Sequence, residues 1–394
     1  MKVVILNSFC DHGSTGKICR DLSESLLANG VDNYVLYSRR FSKYTRARRY
    51  SLMSSALFTA IKSRILGNYG INSLIDTYRL IRFLNYYKPD AINIHNIHSH
   101  DCNFELLFSY LRKHHIKVFY TFHDCWAFTG YCMYFDAIGC DKWKTECNDC
   151  PLMRNYSWFF DRSRTLFRKK KKNMSNLDMT IITPSKWLAN LVRHSFLSQY
   201  PIKVVNNGID LNVFKPTESC FREQNNLLDS FIILGVASVW EKRKGLDAFV
   251  YLANKLNERC KIVLVGTNDL IDKQLPSDII SIHRTANQTE LAALYSTADV
   301  FVNPTMEDNF PTVNIESIAC GTPVITYDTG GSAEMLDEKT GIIVPRGDKE
   351  MLLKAVLDYC ENSYLLSIDC VEKAKKFEKG LRFDDYINLF IGKL

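Results

Sequence analysis

Short apolar runs alternate with amphipathic stretches along the first half of the chain. The runs predict β-strands at 2–9, 31–37, 91–95, 117–122, 180–183 and 203–205. Apolar residues at helical spacing predict helices between them, for example at 16–29, 103–114 and 185–196. Strands that alternate with helices in this way indicate a parallel sheet covered by helices on both faces.

The second half repeats this pattern after a polar stretch, 206–230, which we interpret as an interdomain linker. Strands are predicted at 231–237, 261–265, 279–283, 300–303, 324–327 and 342–344, and helices at 245–256, 290–297, 312–319 and 349–359. The predicted fold class is α/β, with two doubly wound Rossmann-like domains, 1–205 and 231–380, facing each other across a cleft. A C-terminal helix at 381–394 is expected to pack back on the first domain.

The composition is that of an ordinary globular protein, with 46% apolar and 24% charged residues. It excludes disordered and collagen-like chains. No apolar run reaches the roughly 18 residues that a bilayer-spanning helix needs. The first apolar run becomes polar after six residues, which does not fit a secretory signal. We therefore expect a cytoplasmic protein.

Positive charge is concentrated in the first half, where residues 1–205 carry a net +15 while the remainder carries −8. Residues 33–75 contain eight basic residues and no acid, and the basic run 168–172 follows the aromatic triplet 158–160. Basic residues beside aromatic ones suit an anionic membrane surface, with the protein peripheral on the inner face of the cytoplasmic membrane. They also suit the pyrophosphate of a lipid-linked acceptor, and a solvated basic face is the alternative. No nucleic-acid partner is expected, because no nucleic-acid motif accompanies them.

Two places in the first domain carry candidate chemistry. Gly13 and Gly16 lie between the first strand and the first helix, where backbone N–H groups can bind an anion. Their spacing fits neither a P-loop nor a dinucleotide fingerprint, and a plain turn is the alternative. His123 ends a buried strand, and its imidazole can donate or accept a hydrogen bond near neutral pH. The alternative for His123 is a structural pairing with Asp124, and His95 and His98 are weaker candidates.

In the second domain, Arg243 and Lys244 precede a glycine and a helix start, an arrangement that suits a diphosphate. The acids Glu307 and Asp308 follow a strand, and Pro311 then introduces a helix. The N–H groups near Thr312 and Val313 are candidates for binding phosphate, and the Glu316 carboxylate is a candidate for accepting hydrogen bonds from two vicinal hydroxyls. The pair Gly330 and Gly331 is expected to open the next helix and to bind an anion there.

The stretch 303–331, NPTMEDNFPTVNIESIACGTPVITYDTGG, resembles the glutamate-pair signature of retaining glycosyltransferases of family 4, which have the GT-B fold. The segments TFHD, ITPSKWLA, VVNNGIDLNVF and KGLD also resemble family segments, so the likeness covers nearly the whole chain. The most similar members are bacterial enzymes that build capsule, exopolysaccharide or lipopolysaccharide O-chains. The resemblance implies transfer of a sugar from a UDP- or GDP-sugar to a saccharide or lipid-linked saccharide.

The resemblance also implies roles for single residues. His123 would lie beside the donor sugar and the acceptor, Lys244 would bind the diphosphate, and Glu316 would hold the ribose hydroxyls. The loop at Gly13–Gly16 and the backbone around Thr312 and Val313 would meet the phosphates. The first acid of the pair is either Glu307, nine residues before Glu316, or Asp308, which has the usual spacing of eight. An arginine that often precedes the family lysine is absent, and Arg243 is the candidate that replaces its charge.

No Asp-x-Asp motif is present, so we expect no metal in catalysis. Five cysteines crowd into the loop 125–150, and Cys132, Cys140, Cys147 and Cys150 are candidate ligands of a structural zinc ion. A redox pair or simple free thiols are the alternatives. For the activity, the alternatives to a transferase are an epimerase-like enzyme of the same fold that acts on sugar nucleotides, or a catalytically inactive scaffold.

Overall fold

Strands and helices alternate throughout the computed structural model, which describes residues 1–98, 100 and 102–393. The chain forms two units, one of residues 1–205 with 383–393 and one of residues 206–382. The predicted fold class, two doubly wound Rossmann-like domains, is confirmed by the strand order in each unit.

The first unit is built on a parallel sheet that follows the predicted apolar runs. Its strands are β1 (Lys2–Phe9), β2 (Asp32–Arg39), β3 (Ala47–Arg49), β4 (Ala91–Ile94), β5 (Lys117–Thr121), β6 (Met179–Thr183) and β7 (Ile202–Val204). They pair in the order β3-β2-β1-β4-β5-β6-β7. The edge strand β3 was not predicted, because its three residues, Ala-Arg-Arg, give no apolar run.

Helices cover both faces of this sheet. They are α1 (Gly13–Ala28), α2 (Met53–Leu66), α3 (Leu74–Tyr87), α4 (Phe104–Lys113), α5 (Met153–Tyr156), α6 (Ser163–Asn173) and α7 (Lys186–Arg193). Successive residues of β1 point to opposite faces, so that Val4 and Leu6 pack into one core layer and Val3 and Ile5 into the other. A sheet buried on both sides explains why its strands read as continuous apolar runs.

The second unit repeats the arrangement with six parallel strands. They are β8 (Phe231–Val236), β9 (Cys260–Val265), β10 (Ile279–Ile282), β11 (Val300–Asn303), β12 (Val324–Tyr327) and β13 (Gly341–Val344), in the order β10-β9-β8-β11-β12-β13. The helices are α8 (Phe221–Gln224), α9 (Leu246–Ala253), α10 (Asp269–Asp272), α11 (Gln288–Thr297), α12 (Thr312–Ala319), α13 (Lys349–Asn362), α14 (Ser367–Ala374) and α15 (Lys379–Phe390).

Two segments lie at the boundary between the units, residues 206–230 and the last helix. Residues 206–230, for which the sequence predicts a linker, fold into the second unit, where Phe214 and Leu227 are buried in the core. The final helix α15 begins in the second unit and ends in the first, where Phe383 and Phe390 pack against the sheet. Residue 394 of the predicted C-terminal segment lies outside the described residues.

The strand order reverses once in each sheet, between β1 and β4 in the first and between β8 and β11 in the second. Loops that leave the carboxyl ends of strands on either side of such a reversal diverge and leave a crevice, which is where ligands bind in open α/β sheets. In the part of the chain that the structure describes, each helix is too short or too polar to cross a lipid bilayer.

Candidate active site

Three loops meet at the carboxyl edge of the second sheet, following the adjacent strands β8, β11 and β12. The Met306 N–H donates to the carbonyl of Arg243 at 2.8 Å, which joins the first loop to the second. The Gly331 N–H donates to the carbonyl of Asp308 at 3.1 Å, and the Thr329 hydroxyl donates to the carbonyl of Met306 at 2.9 Å. These bonds hold the predicted site residues of the second domain in one cluster.

Two cations and one carboxylate form the charged centre of this cluster. Lys244 Nζ lies 2.7 Å from Asp308 Oδ2, and Arg243 Nη1 lies 3.8 Å from the same oxygen. The Arg243 guanidinium also donates to the carbonyl of Glu307 at 2.7 Å. Two cations thus lie beside the same carboxylate oxygen, and cations of this kind suit a phosphate.

The two adjacent acids have different surroundings. Glu307 is buried, with 3% of its surface exposed, and its carbonyl accepts the Arg243 bond. The Asp308 side chain keeps 17% of its surface exposed and binds the Lys244 ammonium directly. Asp308 is therefore the acid that faces the cations.

The helix α12 follows directly and places Glu316 on its second turn. It begins at Thr312 after Pro311, as predicted. The Glu316 carboxylate accepts hydrogen bonds from the Thr312 hydroxyl at 3.1 Å and from the Tyr295 hydroxyl at 3.2 Å. Two donors hold the carboxylate beside a helix N-terminus, with Thr312 and Val313 in the first turn. Tyr295, on α11, was not a sequence candidate, because its contact with Glu316 spans 21 residues.

The prediction that Gly330 and Gly331 open a helix is wrong. After β12 the chain makes consecutive turns up to β13, because Ser332 donates back to Thr329 and Glu334 donates back to Gly331. Gly330 has a φ of +56°, and a Cβ there would lie 1.8 Å from the carbonyl oxygen of Asp308. The pair of glycines thus lets this loop pack against the backbone of Asp308.

In the first unit, His123 lies just beyond the carboxyl end of β5 and contacts His95, which directly follows the adjacent strand β4. His123 Nε2 lies 2.8 Å from His95 Nδ1, and His95 Nε2 lies 2.7 Å from Asn93 Oδ1. Burial lowers the pKa of His123 to about 4 and lowers that of His95 well below its ordinary value, because an imidazolium there would lose its hydration.

The partners of these rings indicate which of their nitrogens carry protons. Asn93 Nδ2 donates to the carbonyl of Phe119 at 3.1 Å, so its Oδ1 is the atom that faces His95 and must accept. A neutral His95 then carries its proton on Nε2 and accepts on Nδ1. It follows that His123 carries its proton on Nε2, which leaves Nδ1 as its accepting nitrogen.

His98 and Asp124 form a second pair beside these residues. His98 Nε2 lies 2.8 Å from Asp124 Oδ2, so the Asp124 carboxylate binds His98. Burial alone would raise the pKa of Asp124, but His98 and the N–H of Trp126 lower it overall. The Asn93–His95–His123 chain was missed in the sequence, where Asn93 is only one polar residue inside an apolar run.

The loop with Gly13 and Gly16 is shorter than predicted, because α1 already begins at Gly13. Gly16 is buried in the first turn against β1, and a Cβ there would lie 3.3 Å from the Cβ of Phe9. The residue before the helix, His12, gives no side-chain cap to its N–H groups. Asp11 pairs with Arg20 at 3.3 Å, so the acid of this loop is partly neutralised.

The cysteine-rich loop packs into the core of the first unit, to which Cys132 and Trp143 belong. Cys132, Cys140, Cys147 and Cys150 line one cavity of about 20 Å³. No three of these four sulfur atoms lie within 4.8 Å of one another. Among the described residues, Asp269, Asp272 and His283 are the group whose ligand atoms lie that close together.

Lys170 is an exception within the basic run 168–172, for which the sequence predicts a membrane-facing or a solvated surface. Its side chain is fully buried and lies 3.6 Å from the centre of the Trp126 ring, and burial lowers its pKa to about 7. The sequence carries a signal for this, because Ser163, Leu166 and Phe167 share the buried side of α6 and Lys170 follows them at helical spacing.

Two family models match the chain. The one described as Glycosyltransferase Family 4 matches residues 15–213, and the one described as Glycosyl transferases group 1 matches residues 230–362. Among curated proteins, the chain is similar to the putative colanic acid biosynthesis glycosyl transferase WcaC of Escherichia coli K12. The two are 23% identical over 377 residues, which is 86% of each chain.

Solved structures share the fold over the whole chain. Sucrose-phosphate synthase from Thermosynechococcus elongatus superposes with a TM-score of 0.76 at 18% identity, over 99% of this chain and 98% of that one. Anabaena HepE in complex with UDP-glucose superposes with a TM-score of 0.71 at 14% identity, over 100% of both chains.

Proposed function

This chain is a member of glycosyltransferase family 4, and from that membership we propose that it transfers a sugar from a UDP- or GDP-sugar to a saccharide or lipid-linked saccharide with retention of configuration. The proposed setting is the synthesis of a bacterial capsule, exopolysaccharide or O-antigen. The likeness to the colanic acid enzyme supports this setting, and the UDP-glucose complex of HepE supports the donor class.

The observation that carries the proposal is the cluster of Arg243, Lys244, Asp308 and Glu316 at the carboxyl edge of the second sheet. Two cations beside the N-terminus of α12 suit the diphosphate of the donor, whose negative charge grows as it leaves. Glu316 is held one turn into the helix and suits the two hydroxyls of a ribose. We assign the role of the first acid to Asp308 and not to the buried Glu307.

In the proposed reaction, the bond between C1 of the sugar and the diphosphate oxygen breaks while the acceptor hydroxyl attacks C1 on the same face. The acceptor proton passes to the leaving diphosphate, so charge and atoms balance without a further reactant. Arg243 and Lys244 stabilise the charge on the diphosphate. His123, which burial keeps neutral near pH 7, is the proposed hydrogen-bonding partner of a hydroxyl of the sugar or the acceptor.

The test is thermal unfolding in the presence of UDP-, GDP- and ADP-sugars and free nucleotides. A ligand that binds only the folded protein stabilises it by about 2.7 kcal/mol at a hundred times its Kd. We expect one nucleotide class to raise the Tm of the wild type and of Glu361→Ala, an exposed acid of the same unit, but not of Glu316→Ala. No shift with any nucleotide would contradict the proposal, and donor consumption or epimerisation without an acceptor would favour the epimerase alternative.

We further propose that the first unit faces an anionic membrane. Arg48, Arg49, Arg79 and Arg82 line one groove of about 470 Å³ together with aromatic side chains. In the part of the chain that the structure describes, none of these four forms an ion pair with a carboxylate. Arginines without acidic partners suit phosphate groups of lipid headgroups or of a lipid-linked acceptor.

Exposed apolar side chains lie on the same unit and support this proposal. Leu57 and Phe58 on α2 are 69% and 70% exposed, and Phe159 is 67% exposed. The end of α2 and the loop with Phe159 are joined, because the Trp158 N–H donates to the carbonyl of Arg64 at 2.7 Å. Apolar side chains beside cations are typical of surfaces that insert into the boundary of a membrane.

Co-sedimentation with vesicles tests the membrane proposal. We expect binding to vesicles with anionic phospholipid, weaker binding by the double variant Arg79→Gln and Arg82→Gln, and unchanged binding by the control Arg193→Gln on α7. Equal binding to neutral and anionic vesicles, or none to either, would contradict it.

A further inference from the structure

The four cysteines that line the small cavity come from one long loop between β5 and α6. The cavity of about 20 Å³ has room for a single water-sized sphere. Cys125, the fifth cysteine of this segment, is fully buried but does not line the cavity. The fold therefore selects four thiols from five around a space that suits one ion.

The groups around these thiols donate hydrogen bonds. The Gly130 N–H donates to Cys147 Sγ at 3.2 Å, and the Leu152 N–H donates to the thiol of Cys150. Two more donors, the Ser163 hydroxyl and the Trp143 indole N–H, are buried without a hydrogen-bond partner, and both residues line the cavity. Two backbone N–H groups thus donate to sulfur, and two further donors line the same cavity.

A buried lysine lies next to the same loop. Lys170 donates to the carbonyls of Trp126, Thr129 and Gly130 at 2.6, 3.0 and 3.3 Å. Among the described residues no carboxylate forms an ion pair with it. Carbonyl groups solvate an ammonium but do not neutralise it, and the acidic groups close enough to act on Lys170 are the thiols of Cys147 and Cys132 and the Asp124 carboxylate. Four thiolates around one divalent zinc ion carry a net charge of −2, which would add to the negative charge of Asp124 beside this lysine.

We propose that Cys132, Cys140, Cys147 and Cys150 bind one zinc ion in a structural tetrathiolate site. Each thiol gives up its proton to solvent as it becomes a ligand, and the sulfur atoms move closer together around the ion. The site links Cys132 to the segment that carries Cys140, Cys147 and Cys150, within the loop that follows His123, and makes this part of the loop rigid. All four proposed ligands come from this loop, so binding of the ion does not depend on a donor sugar.

The experiment measures metal in tag-free protein purified without chelators from zinc-supplemented culture. We expect about one zinc ion per chain in the wild type, and the same in the control Cys220→Ser, which changes an exposed cysteine of the other unit. Cys147→Ser and Cys140→Ser are expected to contain less than about a tenth of that amount. Cobalt added to chelator-treated wild type should give the absorption of a tetrahedral cobalt thiolate.

A second measurement keeps the proposal testable if the serine variants fail to fold. A thiol reagent is applied to native wild type before and after treatment with a strong zinc chelator, and chelation should make four additional thiols reactive. Wild type that contains no zinc and reacts equally with and without chelator would overturn the proposal. Bound iron, or a disulfide between two of the four cysteines found by mass spectrometry, would overturn it as well.

Discussion

The protonation of His123 gives the sharpest prediction of the structure. The ordinary pKa of 6.5 falls to about 4 in the folded protein, because burial makes the imidazolium costly. At 1.36 kcal/mol per pH unit, this difference corresponds to at most about 3 kcal/mol between the two protonation states. We therefore expect His123 to stay neutral between pH 5 and 8, with its proton on Nε2.

The sign of the effect on stability follows from the same values. Between pH 6.5 and about 4 the unfolded chain binds a proton at His123 and the folded chain does not. The free energy of unfolding therefore falls as the pH falls through this range, and above pH 7 the residue has no influence. From pH 7.5 to pH 5 the expected contribution of His123 is about 2 kcal/mol.

Two measurements check this prediction. Nitrogen-15 NMR of histidine-labelled protein should show His123, identified by the variant His123→Gln, as the neutral Nε2–H form down to pH 5. Chemical unfolding at pH 7.5 and 5 should show a smaller loss of stability in His123→Gln than in wild type, and no such difference for the exposed control His114→Gln. A resonance of His123 that titrates between pH 6 and 7, or an Nδ1–H form, would refute the reasoning from the Asn93 and His95 contacts.

Two further predictions concern the second unit. Gly330→Ala should lower kcat/KM at least about tenfold, because the added Cβ would overlap the carbonyl oxygen of Asp308. The control Gly30→Ala, in the first unit, has a similar positive φ with open space around it and should keep the activity. Equal losses of activity in both variants would contradict this prediction. Tyr295→Phe should weaken nucleotide binding about fivefold in a titration, because Glu316 loses a hydrogen bond worth about 1 kcal/mol. An unchanged Kd would show that this hydrogen bond does not position the Glu316 carboxylate.

Much of the fold and the family could be predicted from local patterns. The apolar runs predicted the strands of both sheets except β3, and the alternation with helices predicted two Rossmann-like domains, both now confirmed. The family resemblance rested on the stretch 303–331, where the chemistry-bearing residues follow one strand and open one helix, and the family is confirmed by the two models that match the chain. Strand and helix patterns and short motifs depend on residues that are close together in the chain, so they can be recognised from the sequence alone.

The tertiary structure decided the contacts between residues distant in the chain. The pairing of Asp308 with Lys244 spans 64 residues, and that of His95 with His123 spans 28. The burial of Lys170 inside a basic run depends on the loop that folds over it, 40 to 44 residues earlier. Helical spacing indicates which side of α6 Lys170 lies on, but the hydrogen-bond partners of a residue and its resulting protonation state depend on which groups meet in space, and side-chain periodicity does not identify those groups.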